Sequence, residues 1–423
     1  MNKIKTTFKS KKTISYAGVL TAIFWSVFLA WSFPESVRMH FDLWFGADTS
    51  LIISNMVDPN SINVRSILHP LFALITFPIA FPISLIGEAI GASKELSQII
   101  STQLIIALSG GATWLLIYII FLKIGLDKFQ SFCISLIFLS STSFIFWWST
   151  TETFPLGAST LLLPVFLLAN RCESRINWLL ALIASASITV SNYTAGLISA
   201  GLKIRLNKTY FILILTSILC TSTLFAIQKK YILSSMGIDQ IFESEKRFIK
   251  SKYKPFDYMV NFFVFPIVAP STPELVSQSY LYTGKSDENA PQQLNFSVPG
   301  IKEISLLRIC ASITWLGFLA KGLYNAVFTK RSKVSIALTC ILGFQFLMHF
   351  IYGDTPFLYS AHYVPVMVIL SGYAIVDISR KRSRNLMTFI VAIICLICIL
   401  NVEIFAKSHE VGISYISSII NTE

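Results

Sequence analysis

Carboxylates, imidazoles and guanidinium groups concentrate in one short stretch of the chain, residues 35–69. This stretch contains Glu35, Arg38, His40, Asp42, Asp48, Asp58, Arg65 and His69. Transfer of a group to a hydroxyl needs a carboxylate to take the proton and cations to stabilise a leaving phosphate, so these residue types fit that chemistry. Apolar side chains lie between them, as in FDLWF, so we expect the stretch to fold against the membrane.

Asp48 is the preferred candidate for the catalytic base, and Asp42 is the alternative. Asp48 follows the apolar residues 45–47. In such surroundings a carboxylate accepts a proton more readily than it does in water. Either residue has a structural alternative, because Asp48 could cap a helix that begins near Thr49 and Asp42 one that begins near Leu43.

Arg65 and His69 are the preferred candidates for binding the leaving phosphate. They are four residues apart, so we expect them to share a helix face near the level of lipid phosphates. Arg38, His362 and Lys94 are weaker candidates. The alternative for Arg65 is a side chain that only extends its charge to the membrane surface.

Three further polar clusters occur at the ends of apolar runs. The sequence WWSTTETFP contains Glu152, SNYTAG contains Asn192 and Tyr193, and YGDTPFLYSAHYVP contains Asp354, His362 and Tyr363. If they reach the same membrane face as residues 35–69, they line a common cavity with carboxylates at its mouth and contribute to substrate binding. Each cluster could instead be an aromatic belt with helix caps at the membrane surface.

The elements that position these residues are predicted to be membrane helices. Of 423 residues, 54% are hydrophobic and 13% are charged, which is about half the charged fraction of an ordinary soluble domain. The apolar residues form runs of roughly 15 to 25 residues, as bilayer-spanning helices do. This composition excludes a soluble globular enzyme and predicts one all-α polytopic membrane domain over residues 1–423.

The basic residues predict how the chain is oriented. The predicted spans are 14–33, 98–122, 130–148, 155–169, 176–190, 193–206, 209–227, 304–328, 334–352, 363–378 and 386–405. If the apolar segment 68–86 does not cross, the basic loops fall on the side of the lysine-rich N-terminus, which the positive-inside rule makes cytoplasmic. The net charge of +12 is then an orientation signal and not a nucleic-acid interface.

This topology gives about eleven transmembrane helices and two large outer regions, 34–97 and 228–303. The segment 68–86 contains Pro70, Pro78 and Pro82. We therefore predict that it is a re-entrant or juxtamembrane segment of the first outer loop.

The order of these motifs resembles the GT-C superfamily of integral membrane glycosyltransferases. FGADTS holds Asp48 in the first outer loop, LHPLF follows with His69, and STTETFP places Glu152 where a span emerges. The run ALIASASITVSNYTAGLI is similar to the pair of short helices in some members. The chain departs from the family in lacking an acidic pair in the first loop and a WWDYG-like motif. As architecture, the resemblance covers most of the chain.

The resemblance implies an inverting glycosyltransferase at the periplasmic face of a bacterial inner membrane. Its donor would be a sugar on a polyprenyl-phosphate or diphosphate carrier, and its acceptor a surface glycan or lipid glycan such as O-antigen or lipopolysaccharide. Inversion follows if Asp48 directs a single displacement. The segment 68–86 and the grooves between helices would hold the lipid tail among the membrane lipids, and a divalent metal cofactor is left open.

Two other functions remain as alternatives. An O-antigen polymerase or ligase has a similar number of spans and relies on outer arginines and histidines more than on a carboxylate. A lipid-linked glycan flippase or transporter would carry ionisable residues near the bilayer midplane. The predicted spans are nearly free of such residues, with Lys321 as the main exception.

Overall fold

The structure is a computed structural model. It describes residues 2–32, 43–63, 68–232, 234–235, 254–277, 292–298, 304–353, 355–376 and 380–420. In these ranges the chain is mostly α-helical, and the prediction of an all-α polytopic membrane fold is confirmed at that level.

Most of the helices follow one another with short connections, and longer stretches of chain lie over residues 32–48, 232–254 and 264–305. In chain order they are α1 (Asn2–Trp31), α2 (Thr49–Val57), α3 (Phe72–Ala89), α4 (Lys94–Ile124), α5 (Lys128–Ser140), α6 (Thr142–Trp147), α7 (Thr153–Ala169), α8 (Arg175–Ile188), α9 (Tyr193–Ile204), α10 (Lys208–Tyr231), α11 (Pro255–Phe263), α12 (Leu306–Tyr324), α13 (Lys333–Ile351), α14 (Ser360–Gly372) and α15 (Arg380–Ile420). Short 3₁₀ turns cover Val190–Asn192 and Pro356–Tyr359, and a π-helical turn, Asn325–Lys330, extends α12.

Two small strand pairs complete the described elements. The strands β1 (Ile62–Asn63) and β2 (Ser234–Ser235) pair in parallel. The strands β3 (Glu274–Ser277) and β4 (Gln292–Asn295) pair antiparallel, with Leu275 opposite Leu294. The first pair joins segments that are distant in the sequence, whereas the second lies within one connection between helices.

Seven helices in the described ranges are long enough and apolar enough to cross a membrane. They are Thr13–Trp31, Phe72–Ala89, Lys94–Ile124, Lys208–Tyr231, Leu306–Lys330, Lys333–Ile351 and Asn385–Ile419. Three shorter apolar helices, Lys128–Ser140, Thr153–Ala169 and Arg175–Ile188, lie among them.

The turn between α4 and α5 shows how local sequence ends and restarts a helix. Gly125 closes α4 with a φ of +111°, a conformation that glycine adopts without a Cβ clash. Asp127 then opens α5 by a capping box, in which its side chain accepts from the Gln130 N–H and the Gln130 side chain accepts from the Asp127 N–H. The chain therefore reverses within three residues and α5 packs back along α4.

The predicted span 130–148 is wrong as one continuous helix. Ser141 has extended backbone angles, and its side chain caps a new helix by accepting from the Phe144 N–H. The hydroxyl-rich sequence SST therefore divides the run into α5 and α6. After this break, Trp147 and Trp148 lie in the protein core, where both are fully buried.

The helix α7 defines the two ends of the helix bundle. It begins directly after Glu152, ends at Ala169 close to Arg171, and is about 25 Å long at 1.5 Å per residue. We refer to these as the Glu152 end and the Arg171 end.

The long helix α4 runs in the same direction as α7. Near its start, the Thr102 hydroxyl lies 3.4 Å from that of Thr151, beside Glu152. At its other end, Lys123 lines a cavity together with Arg171. The first turns of α4 therefore lie at the Glu152 end.

Both ends of α3 lie on the Glu152 side. At its start, Phe72 lines a small cavity with Glu152. Near its end, a Cβ on Gly87 would lie 2.7 Å from the hydroxyl oxygen of Ser97, in the first turn of α4. The helix α3 therefore does not run from one end of the bundle to the other.

Candidate functional site

Three of the predicted site residues come together in one small cavity at the Glu152 end. Asp48, His69 and Glu152 line it with Asn55, and apolar side chains complete the wall. These residues come from the N-terminus of α2, the turn before α3 and the N-terminus of α7. Side chains up to 104 positions apart in the sequence thus face the same space, which we call the Glu152 cavity.

Glu152 is held in place by the backbone of two segments. One oxygen, Oε1, accepts from the Asp48 N–H at 2.7 Å, and Oε2 accepts from the Thr153 N–H at 2.8 Å. The side chain caps α7, where the helix dipole favours a negative charge. Glu152 is 3% exposed. It therefore fixes the position of the Asp48 segment relative to α7.

The Asp48 carboxylate is half-buried and lines the Glu152 cavity. Asp48 stands at the N-cap position of α2, but its side chain makes no capping hydrogen bond. Helix capping is therefore not the role of this carboxylate. The cavity that Asp48 lines has a volume of about 20 Å³, which is room for one small polar group such as a water or a hydroxyl.

The segment before Asp48 has a specific backbone shape. Phe45 and Gly46 have φ values of +52° and +77°, the left-handed region that few side chains tolerate. Phe45 is anchored because its N–H donates to the Leu294 carbonyl at 3.0 Å, while the Leu294 N–H donates to the Leu43 carbonyl at 2.7 Å. The strand that contains Leu294 therefore supports the Asp48 segment.

His69 lies in a turn and not in a helix, so the expected shared helix face with Arg65 is wrong for His69. Pro70 follows it, and a residue before proline is disfavoured in helical conformation. The His69 Nδ1 atom lies 2.5 Å from the carbonyl oxygen of Ile188, and the Leu71 N–H donates to the Ser187 carbonyl at 2.8 Å. The turn is thus tied to the end of α8.

A second polar group lies beside the Glu152 cavity. Asn192 donates from Nδ2 to the Gly157 carbonyl at 3.0 Å, and the same atom lies 3.1 Å from His362 Nδ1. The Gln345 Nε2 atom donates to Asn192 Oδ1 at 3.4 Å, and the Gln345 Oε1 atom lies 3.0 Å from His349 Nε2. This buried chain joins α7, α13 and α14 to the turn before α9.

Asn192 and His362 belong to the polar clusters predicted from the sequence, whereas Gln345 and His349 do not. A signal was present, because QFLMH places two polar side chains four residues apart inside an apolar run. Polar groups in a predicted span are expected on one interior helix face with partners. The structure brings them to Asn192.

His362 is buried, with 1% of its surface exposed. Within the part of the chain that the structure describes, its Nε2 has no hydrogen-bond partner. The ring stands 5.5 Å from that of Phe154, which also lines the Glu152 cavity. His362 therefore lies directly behind that wall.

Tyr193 and Tyr363 are placed elsewhere. The Tyr193 hydroxyl lies 2.6 Å from the Ser217 hydroxyl, and Tyr193 lines a separate, mostly apolar cavity of about 280 Å³ with Pro70. Tyr363 is fully buried, stacks on Phe262 and donates to the Pro356 carbonyl at 2.8 Å. Its contacts hold the core together and do not face the Glu152 cavity.

The remaining predicted site residues, Asp42, Arg65 and Asp354, lie outside the described residues. Among the described side chains, no three histidines, cysteines or carboxylates are grouped closely enough to hold a metal ion.

Comparison of the chain with models of known protein families finds no match, and no curated protein matches it.

Proposed function

We propose that the chain is a membrane glycosyltransferase that moves a sugar from a polyprenyl-phosphate carrier to a hydroxyl of a surface glycan or lipid glycan. The observation that supports this function is the convergence of Asp48, His69 and Glu152, from three separate motifs, on one cavity. A half-buried carboxylate and an imidazole beside it are the groups that a displacement at a sugar carbon uses.

Asp48 takes the proton in this reaction. The acceptor oxygen forms a bond to the anomeric carbon of the sugar while the bond from that carbon to the carrier phosphate breaks. The bonding electrons leave with the phosphate, and the acceptor proton passes to the Asp48 carboxylate. A single displacement of this kind inverts the anomeric carbon.

Glu152 is a positioning residue in this proposal. Both of its carboxylate oxygens accept backbone hydrogen bonds, and one of them comes from Asp48 itself. It keeps the base within hydrogen-bond reach of the acceptor, where small displacements cost large factors in rate.

The lipid carrier has a suitable place next to the cavity. Pro70 adjoins His69 in the sequence and lines the apolar cavity of about 280 Å³ that includes Tyr193. The first isoprene units can occupy that cavity while the phosphate lies towards His69. Arg65 remains the predicted cation for the phosphate.

We further propose eleven passes, with a cytoplasmic N-terminus and a periplasmic Glu152 end in a bacterial inner membrane. Supporting this orientation, Lys123, Arg171, Lys203, Lys330 and Lys333 all meet at the Arg171 end. The helix α3, with both ends on the Glu152 side, is then the juxtamembrane segment.

A second candidate is an O-antigen polymerase or ligase. The observation that favours it is the group of histidines around the Glu152 end, His69, His349 and His362. In such an enzyme the histidines would carry the activity and Asp48 would be dispensable.

The test compares the surface glycan of cells that lack the protein with cells that carry wild type, Asp48→Asn or Asp58→Asn. Asp58 is the matched control, because its carboxylate accepts from the Asn60 N–H and does not line the cavity. We expect Asp48→Asn to lower transfer at least about a hundredfold, as loss of a general base does, and Asp58→Asn to retain it.

Mass spectrometry of the glycan distinguishes the functions. A glycan that lacks one sugar in the null and Asp48→Asn strains supports the transferase. A change in chain length alone, with Asp48→Asn active, supports the polymerase or ligase. An unaltered glycan in the null strain overturns both.

A further inference from the structure

A larger cavity of about 450 Å³ lies at the Arg171 end of the bundle. Five basic side chains line it together with one carboxylate: Lys123, Arg171, Lys203, Lys330, Lys333 and Glu173. They come from α4, the α7–α8 turn, α9, the π-helical turn after α12 and the start of α13. We call this the basic cavity.

The basic cavity lies at the depth of the lipid headgroups. Lys123 is in the last turn of α4, Lys330 ends the apolar segment that starts at Leu306, and Lys333 begins α13. All three segments are long enough and apolar enough to cross a membrane, so their ends lie at the headgroup layer.

One ion pair fixes the cavity wall. The Lys203 ammonium pairs with Glu173 and also donates to the Arg171 carbonyl at 3.3 Å. Only 17% of the Lys203 side chain is exposed. Among the described residues that line the cavity, Glu173 is the single carboxylate, and it pairs with Lys203. Lys123, Arg171 and Lys333 therefore add positive charge that favours an anionic ligand.

The rest of the lining suits the neck of a phospholipid. The Ser332 and Tyr373 hydroxyls, 3.3 Å apart, offer hydrogen bonds to phosphate oxygens. Leu168, Ala169 and Val334 add apolar surface for the glycerol and the first methylenes. A soluble phosphate would use the cations and hydroxyls but gain nothing from this apolar part.

The positive-inside rule explains why basic residues lie at the Arg171 end, but not why five of them line one cavity. Arg175, Arg205 and Lys208 lie at the same end, at the helix termini beside the cavity, yet they do not line it. We propose that the basic cavity is a binding site for the phosphate headgroup of an anionic phospholipid from the surrounding membrane.

The test measures lipid binding by the full-length purified protein in detergent, by native mass spectrometry. The probes are phosphatidylglycerol, phosphatidylcholine and glycerol 1-phosphate. The cavity variant is Lys123→Gln/Lys330→Gln/Lys333→Gln, and the matched control is Arg175→Gln/Arg205→Gln/Lys208→Gln. Each removes three positive charges from the same end of the bundle. Thermal unfolding shows whether each variant is folded.

We expect wild type to bind phosphatidylglycerol at least about tenfold more tightly than phosphatidylcholine, and the cavity variant to lose at least about tenfold in affinity. The control should stay within about twofold of wild type, because its cations do not face the site. Equal losses in both variants would show a diffuse surface charge effect and overturn the site. Equal affinities for glycerol 1-phosphate and phosphatidylglycerol would show that the phosphate alone is recognised, and would overturn a phospholipid as the ligand.

If the cavity variant does not fold, Lys333→Gln alone is compared with Arg205→Gln alone. Each removes one exposed cation, so the expected loss is about two- to fivefold for Lys333→Gln and none for Arg205→Gln. Equal affinities in these two variants would also overturn the site.

Discussion

Glu152 shows how a buried carboxylate can serve a site without reacting. Its two oxygens accept from the Asp48 and Thr153 N–H groups. Glutamine has one acceptor oxygen and one NH₂ donor, so Glu152→Gln leaves one of these buried donors without an acceptor. We expect the free energy of unfolding to fall by about 1–3 kcal/mol. Thermal unfolding in detergent measures this loss, and Glu88→Gln, at an exposed carboxylate on α3, is the control.

A positioning role for Glu152 makes a second, kinetic prediction. If Glu152 acts through Asp48, then Glu152→Gln lowers transfer in the wild-type background but adds little to Asp48→Asn. A double-mutant cycle tests this: initial rates are measured for wild type, the two single variants and the double variant, at a temperature where all remain folded. Multiplicative losses would show that Glu152 acts independently of Asp48.

At the scale of elements, α7 and α14 meet at Gly157. A Cβ there would lie 2.3 Å from Cε1 of His362 and 3.2 Å from Nδ2 of Asn192. Contact this close separates the helices or moves the imidazole, which breaks the Asn192–His362 contact. The absence of a side chain at Gly157 is therefore a requirement of the polar chain between the helices.

We expect Gly157→Ala to lower the free energy of unfolding by about 1–3 kcal/mol, as overpacking does, and to reduce transfer. Gly343→Ala on α13 is the matched control, since a Cβ at Gly343 meets nothing within 4 Å. The control should be neutral or more stable by up to about 1 kcal/mol, because alanine favours helix. Thermal unfolding and glycan transfer are measured for both. Wild-type behaviour of Gly157→Ala would contradict this close packing.

Arg308 joins the first turn of α12 to the middle of α15. Its guanidinium donates to the carbonyls of Ala269 and Leu400, both at 3.1 Å, and to Glu403 Oε2 at 2.9 Å. The exposed Lys407 pairs with the same Glu403 at 2.7 Å. One carboxylate thus has a buried and an exposed partner.

Arg308→Met should cost about 1–3 kcal/mol, because the buried carbonyls of Ala269 and Leu400 lose the charged donor that Arg308 supplies. Lys407→Met should cost less than about 0.5 kcal/mol, because an exposed pair contributes little. Thermal unfolding of the two variants in the same detergent measures the difference. Equal losses in the two variants would show that Arg308 stabilises the fold through its pair with Glu403 and not through the two carbonyls.

At the scale of the whole molecule, the two ends differ in charge. The Glu152 cavity contains two carboxylates and a histidine, whereas five cations meet at the Arg171 end. The proposed orientation places the first outside the cytoplasm and the second inside. The helices α4, α7 and α9 each run from the Glu152 end towards the Arg171 end. One label at the start of α4 and one just after the end of α9 therefore report the orientation.

Single cysteines at Lys94 and Lys208, both exposed, provide such labels. In intact cells, a membrane-impermeant maleimide should label Lys94→Cys and not Lys208→Cys, and permeabilised cells should show both. The parent chain with its seven native cysteines sets the background. Labelling of Lys208→Cys in intact cells would reverse the proposed orientation.

The sequence by itself determined the class of fold and most of the helices. Apolar run length is a property of a single segment, so hydropathy predicted the span 98–122, which lies within α4. The same local signals placed Glu152 at a helix terminus, where the structure finds it. They also singled out Asp48 and His69, but did not show that these residues meet.

Only the tertiary structure decided which side chains share a space. The Glu152–Asp48 contact spans 104 positions and depends on how α2 and α7 both pack on α4, and the His362–Asn192 contact spans 170. It also moved His69 from a helix face to a turn and divided the predicted span 130–148 at Ser141. Such contacts arise from packing between distant helices, and hydropathy carries no record of which helices become neighbours.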